Sequence, residues 1–322
     1  MHTHANHTIH RDHTHHGWNN AFKPVLKIAP GETVQFETKD ASSGQLDKTS
    51  TAEALNKLDL AFVNPVTGPV YVDGARPGDA LKVSVLSLQP SGWGWTGNIP
   101  GFGLLADQFP EAHLHHWNYD PGLKPAMYGA GGRVPLRPFP GTIGVAPAAP
   151  GLHSIVPPRN VGGNMDVRDI TAGVELYLPI EVDGALFSVG DGHYRQGEGE
   201  ACGTAVEGAM NVVLIVDLIK GGGPAWPRLE TDDSLVVIGS SRPLEDAWRV
   251  SQVGMVRWLS ELYGLDQMDA YQLLSQTSQA PLANVVDANY SVVAKVPKAL
   301  LPAATAYDGM HQRLREAAAA NR

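Results

Sequence analysis

Residues 190–200 read Gly-Asp-Gly-His-Tyr-Arg-Gln-Gly-Glu-Gly-Glu, which places Asp191, His193, Glu198 and Glu200 within ten positions among four glycines. Imidazole and carboxylate are the donors that a hard or borderline divalent cation takes. A free carboxylate beside such an ion can exchange protons with water whose pKa has fallen toward ~7. If a strand runs through the segment, Asp191 and His193 share one face, as two ligands of one ion must. Glu198 and Glu200 repeat that spacing, and the glycines let the backbone approach a ligand. The competing reading is a glycine-rich turn with its carboxylates in water.

A second group lies in residues 151–168, which contain His153, the run Pro157-Pro158-Arg159, and Gly162-Gly163-Asn164-Met165-Asp166. Paired glycines ahead of Asn suit a backbone that offers N–H groups to an anion or oxyanion, and they equally suit an ordinary turn. Cys202 is the one thiol of the chain. With Glu200 as base it could attack an amide carbonyl, but it has no basic neighbour to lower its pKa, and lone cysteines commonly serve as small buried apolar residues. The chain contains no Gly-x-Ser-x-Gly elbow, P-loop, dinucleotide fingerprint or CxxC pair.

The elements that must position these residues read as short strands. Of 322 residues, 35 are Gly and 24 Pro, a density that favours many turns over helical bundles. Strand patterns occupy residues 24–29 and 33–38, expected as a hairpin about Pro30-Gly31, and then 59–64, 69–73, 80–88, 142–147, 174–182, 185–189 and 210–218. Turn signals about ten residues apart point to a sandwich or barrel. Residues 90–137 lose the pattern and collect Trp93, Trp95, Trp117, His113, His115 and His116, an irregular excursion of the kind that carries function. Helical spacing appears at 242–276, with Gly264 as a stop and Asp266 as an N-cap. The expected fold is therefore mainly β, sandwich or barrel-like, with a smaller α+β part towards the C-terminus.

Seven of the thirteen histidines lie in residues 1–16, so residues 1–17 are expected to form a flexible arm ahead of a folded region at 18–301, with residues 302–322 a helical tail. The net charge of −9 argues against nucleic acid as a partner. A single cysteine and the absence of long apolar runs predict a cytoplasmic protein with no membrane segment.

The blocks NPVTGPVYVDGARPGD (64–79), LRPFPGTIGVAP (136–147), SIVPPR (154–159), GGNMD (162–166) and GDGHYRQGEGEACGTAVE (190–207), in this order, resemble the acetamidase/formamidase family from about residue 18 to 301. The resemblance implies a mainly β hydrolase that splits the C–N bond of small carboxamides into ammonia and carboxylate, as a homo-oligomer with a divalent metal, zinc among the candidates. Carried onto matching motifs, it implies Asp166, Asp191 and His193 as metal ligands and Glu200 or Glu198 as proton carrier. Gly163, Asn164 and Gln196 would then hold the amide. His15 or His16, where the family often has histidine, is a reserve ligand. Two alternatives are a covalent amidase acting through Cys202 and a non-catalytic β module that binds a small ligand or metal.

Overall fold

The computed structural model describes residues 5–119 and 132–302. Two nine-stranded sheets form its body. The first runs, in spatial order, His7–Ile9, Glu32–Glu37, Met210–Ile219, Ala80–Pro90, Glu175–Pro179, Arg228–Glu230, Ser234–Ser241, Tyr290–Pro297, Leu282–Asn284. Its long Val/Leu/Ile run, Met210–Ile219, pairs antiparallel with Ala80–Pro90 on one side and Glu32–Glu37 on the other, which is why Val212, Leu214 and Val216 are fully buried.

The second sheet orders Gly162–Asn164, Phe139–Gly144, Phe187–Arg195, Val206–Glu207, Trp93–Asn98 and His113–Asn118, with Val66–Val72 paired to Phe187–Arg195. One continuous core joins the two sheets: Val34, Phe36, Leu81, Val212 and Leu214 from the first pack with Val70, Ile143, Phe187 and Val189 from the second. Phe36 and Phe187 meet edge to face at 5.7 Å between centroids. At full burial each such side chain contributes ~1.5–3 kcal/mol, so this shared layer fixes one sheet against the other.

Two helices cover the far end of the first sheet. In α1 (Leu244–Tyr263), Met255, Trp258 and Leu259 recur at helical spacing and pack on Leu235, Val237, Ala294 and Val296. Gly264 ends it in the left-handed conformation (φ 64°), its N–H reaching the Ser260 carbonyl. In α2 (Gln267–Thr277), the Asp266 carboxylate caps the Met268 and Asp269 N–H groups. The mainly β class and the C-terminal helical part therefore stand as the sequence indicates.

Four local expectations change. Residues 24–38 do not form a hairpin: Leu26–Ile28 pairs in parallel with Val70–Val72 in the second sheet, while Glu32–Glu37 belongs to the first, so the Pro-Gly turn carries the chain between layers. The described part of the arm is not free. Thr8 and Ile9 sit in a strand parallel to Gln35 and Phe36, Thr14–His15 pairs with Val66–Thr67, and Ile9 and Trp18 are buried. β-branched and aromatic residues among the histidines supply that packing. Residues 59–64 make a 3-10 turn (Leu60–Phe62) instead of a strand, because the Asp59 side chain accepts from the Ala61 N–H. The excursion contains an antiparallel pair, Trp93–Asn98 with His113–Asn118. The tail expected at 302–322 lies, from residue 303 on, outside the described residues.

Candidate active site

Phe187–Arg195 is a central strand, and the strands beside it explain the glycines. A Cβ on Gly190 would sit 2.2 Å from the Pro65 carbonyl oxygen, and one on Gly192 2.3 Å from that of Gly208. These glycines admit neighbouring backbone, not a ligand. Asp191 and His193, each following one of these glycines, converge, with His193 Nε2 3.3 Å from Asp191 Oδ1. The loop after Gly162–Asn164 brings Asp166 Oδ1 to 3.8 Å from His193 Nδ1. Glu207 Oε2 lies 3.3 Å, and Glu200 Oε1 3.7 Å, from Nε2.

Seven non-glycine residues among those described have positive φ, and three of them are Asp166 (54°), Asp191 (56°) and Glu200 (53°). Left-handed backbone costs a residue with a Cβ on the order of 1 kcal/mol or more. Its concentration on three carboxylates of one cluster marks a site whose geometry overrides local preference. Gly141 forms the floor: a Cβ there would lie 2.6 Å from both Asp166 Oδ1 and Asp191 Oδ2 and 2.8 Å from His193 Cε1.

Asp166, Asp191, Glu200, Glu207 and Asp287 are all buried around the single imidazole. Burial pushes the Asp166 and Glu200 carboxyls well above the carboxylate range and raises Glu207 too, with neighbouring carboxylates adding to the effect. Asp287 is pushed up to about 7 by burial, against hydrogen bonds from Asn284 and Asn164. Burial opposes charge on His193, yet Glu207 and Asp191 hold its pKa well above the usual histidine value. One imidazolium cannot balance five carboxylates: Asp166 Oδ1 has no hydrogen-bond partner, and Asp191 Oδ1 and Glu207 Oε2 face only the one His193 Nε2, each at 3.3 Å. Buried carboxylate oxygens without partners are costly unless a cation takes them.

The donor set fits a divalent cation. Asp166, Asp191 and His193 form one group whose ligand atoms lie within 4.8 Å of one another, and His193, Glu200 and Glu207 form another. Three oxygens at 3.3–3.7 Å from Nε2 cannot all receive its one N–H. They do suit a shared ion, because metal bonds of ~2.0–2.2 Å leave neighbouring ligand atoms about 3.3 Å apart.

Gln196 settles which nitrogen is free. Its Nε2 donates to the Asp166 carbonyl (3.0 Å) and the Ala283 carbonyl (2.8 Å), so Oε1 is the atom that faces His193 Nδ1 at 2.9 Å. Oε1 can only accept, Nδ1 therefore carries the proton, and in the neutral ring Nε2 presents its lone pair to the cluster. A second layer completes the arrangement. Thr142 Oγ1 lies 2.7 Å from Asn164 Oδ1 and 3.2 Å from Asp191 Oδ2, and Asn164 Nδ2 donates to Asp287 Oδ2 at 2.8 Å. Asn284 Nδ2 lies 2.5 Å from both Asp166 Oδ2 and Asp287 Oδ2. Above the cluster opens a cavity of about 350 Å³ whose walls include Asn164, Asp191, His193, Glu200, Glu207 and Asp287.

The profile of the Acetamidase/Formamidase family matches residues 2–155 and 151–302. The chain belongs to that family. Among curated relatives it is 29% identical to an acetamidase of Mycolicibacterium smegmatis over 73% of this chain and 72% of that one. It is also 29% identical to a formamidase of Methylophilus methylotrophus over 65% of this chain and 64% of that protein. Among solved structures, an acetamidase from Yersinia enterocolitica superposes with TM-score 0.84 at 35% identity, covering 92% of this chain and 93% of that one. A gamma lactamase from Delftia acidovorans superposes at 0.63 with 26% identity, covering 91% and 90%.

Within this family member, Asp166, Asp191, His193 and Glu200 come together in one cluster, and all of these except Asp166 line the hollow above it together with Asn164. Glu198 does not: Gly199 (φ 75°) turns the 3-10 segment Glu198–Glu200, so Glu200 enters the cluster while Glu198 faces outward to Arg168. The two-residue spacing misleads there because the segment is not a strand. Gln196, expected to hold the amide, instead spends its side-chain amide on His193 and two backbone carbonyls and does not line the cavity. Gly163 lies outside the cavity lining, under Trp18, whose Nε1 would be 3.6 Å from a Cβ at that position.

His15 and His16, the reserve ligands, belong to neither the cavity lining nor the two ligand groups. His15 is held by the Gly17 carbonyl (2.6 Å) and Ser188 Oγ (2.9 Å), with burial lowering its pKa to about 4, and His16 Nε2 contacts Ser43 Oγ at 3.1 Å. Cys202 is exposed, its Sγ against the Thr204 carbonyl at 3.2 Å, and it lines a different cavity. Cys202 does not line the cavity above the cluster. Glu207 and Asp287 are functional candidates that sequence reasoning missed. Glu207 ends the 190–207 block, whereas no local pattern distinguishes Asp287 in Val-Val-Asp-Ala-Asn.

Proposed function

We propose that this chain hydrolyses small carboxamides to ammonia and carboxylate with a divalent cation held by His193 Nε2 and the carboxylates of Asp166, Asp191 and Glu207. Amide hydrolysis is the activity of the named family relatives, an acetamidase and a formamidase. The observation that carries the metal reading is the set of buried carboxylate oxygens without hydrogen-bond partners converging on one imidazole. When bound, a divalent cation supplies charge that polarises the amide carbonyl and acidifies water to near neutral pH. Zinc is among the divalent ions that one imidazole nitrogen with carboxylate oxygens at these separations accommodates.

The chain's own groups do the rest. Gln196 fixes the His193 tautomer. Asn164, anchored by Thr142 and Asp287, borders the substrate space. Glu200, at the cavity wall and not needed to hold the cation, takes the proton released as water adds to the carbonyl carbon and returns it to nitrogen as the C–N bond breaks. The products are ammonia and the carboxylate.

No helix among the described residues is long and apolar enough to cross a membrane. A homo-oligomer is part of the proposal, and sedimentation measures it. Ammonia release from a panel of short amides by metal-replete protein tests the reaction. Silence on the whole panel would favour a binding module that retains the scaffold without the chemistry.

A further inference from the structure

The cavity above the cluster is far larger than the amides named for the relatives require. Its volume is about 350 Å³, and a water molecule's share of the liquid is ≈ 30 Å³. That is space for roughly twelve water-sized groups, whereas formamide has three non-hydrogen atoms and acetamide four. The lining is also divided. Every titratable side chain of the lining (Asp191, His193, Glu200, Glu207, Asp287) belongs to the cluster, whereas Leu58, Val63, Trp95, Ile99, Phe102 and Val156 supply an apolar wall. Leu60, at the same wall, is 68% exposed and marks the rim.

This wall is built and held. Leu58, Trp95 and Ile99 pack into a small core with Ala41, Leu46 and Leu55. The Trp95 indole donates from Nε1 to Asp40 Oδ1 at 3.1 Å, and Asp40 is fixed by the Ser42 N–H at 2.9 Å and the Gly44 N–H at 3.2 Å. Apolar surface that is already ordered gives binding energy to a ligand without an ordering cost. Thr204, the hydroxyl beside it, is engaged with both backbone groups of Gly97 and makes no demand on a substrate.

Resting on the amidase reading, we infer that the preferred substrates are carboxamides whose acyl part is an uncharged hydrocarbon chain or ring of about five to eight carbons. The amide sits on the carboxylate cluster and the hydrocarbon lies along Trp95, Ile99 and Phe102. Each methylene transferred from water to an apolar wall is worth about fourfold, so four further methylenes take kcat/KM up by about 10²-fold from acetamide to hexanamide.

The test is ammonia release by the full chain, metal-replete, along the straight-chain series from formamide to octanamide, with benzamide added. Inhibition by the matching carboxylates from acetate to octanoate is measured in parallel. The expected result is a kcat/KM that climbs with chain length to hexanamide and carboxylate inhibition constants that fall over the same range. Val63→Phe, which fills the partly exposed side of the wall, lowers the hexanamide-to-acetamide ratio at least tenfold. A series that is flat or declines beyond acetamide, with real turnover of the short amides, overturns this substrate class and leaves the amidase reading intact. A ratio unmoved in folded Val63→Phe overturns it as well. No turnover of any amide overturns both.

Discussion

Replacing Gln196 by Leu removes the group that assigns the His193 tautomer and leaves an apolar side chain one bond shorter. Three hydrogen bonds go: Oε1 from Nδ1 at 2.9 Å, and Nε2 to the Asp166 and Ala283 carbonyls at 3.0 and 2.8 Å. At ~1 kcal/mol net each, the loss is about 3 kcal/mol. Against an unfolding entropy of roughly 2.1 cal/mol/K per residue, Tm falls by about 4 °C, and the variant remains folded. Metal affinity falls 10–100-fold, because the ring is no longer oriented and either nitrogen can carry the proton. Chelator competition measures the affinity and thermal melts measure the stability. Gln196→Glu separates the two effects: it keeps an acceptor for Nδ1–H but loses both donors, so affinity recovers while Tm does not. A folded Gln196→Leu protein with wild-type metal affinity and kcat/KM would refute the assignment of Gln196 as the residue that orients His193.

Other consequences follow from the same geometry. Gly141→Ala drives a methyl into Asp166, Asp191 and His193, and should lower kcat/KM at least 100-fold together with bound metal, measured side by side. In chelated protein the raised carboxyls of Asp166, Glu200, Glu207 and Asp287 are favoured as acids, so folding loses stability as pH rises from the unfolded carboxyl values through the folded ones. For Asp287, at about 7 when folded, the loss is on the order of 4 kcal/mol between pH 4 and 8. His193, also raised, loses its contribution in the same direction. Melts of chelated protein should therefore give a lower Tm at pH 8 than at pH 5, with added metal narrowing the gap, and a higher Tm at pH 8 would contradict the burial argument. Cys202→Ala should retain kcat/KM within about twofold.

Much of the site could be read from residue spacing because one strand carries it. Asp191 and His193, two apart, share a face even though Asp191 has positive φ. Spacing failed for Glu198, where a left-handed Gly199 replaces the strand period, and it could not find Asp287, which reaches the cluster through Asn164 and Asn284 from the far end of the chain. The glycines of 190–192 have a different cause from the one their sequence suggests, since backbone contact with Pro65 and Gly208 depends on strand order. The mainly β class was legible in the alternation and turn chemistry. The pairing of residues 24–38 was not, because one turn motif serves both a hairpin and a crossing between sheets.

Elemental analysis of purified protein, paired with amide turnover before and after verified chelation, bears most directly on the buried cluster. The account predicts bound divalent metal in wild-type protein, loss of ammonia release when it is stripped, recovery on adding zinc or a similar ion, and neither binding nor recovery in His193→Ala. Undiminished turnover by protein shown to be free of metal would contradict it.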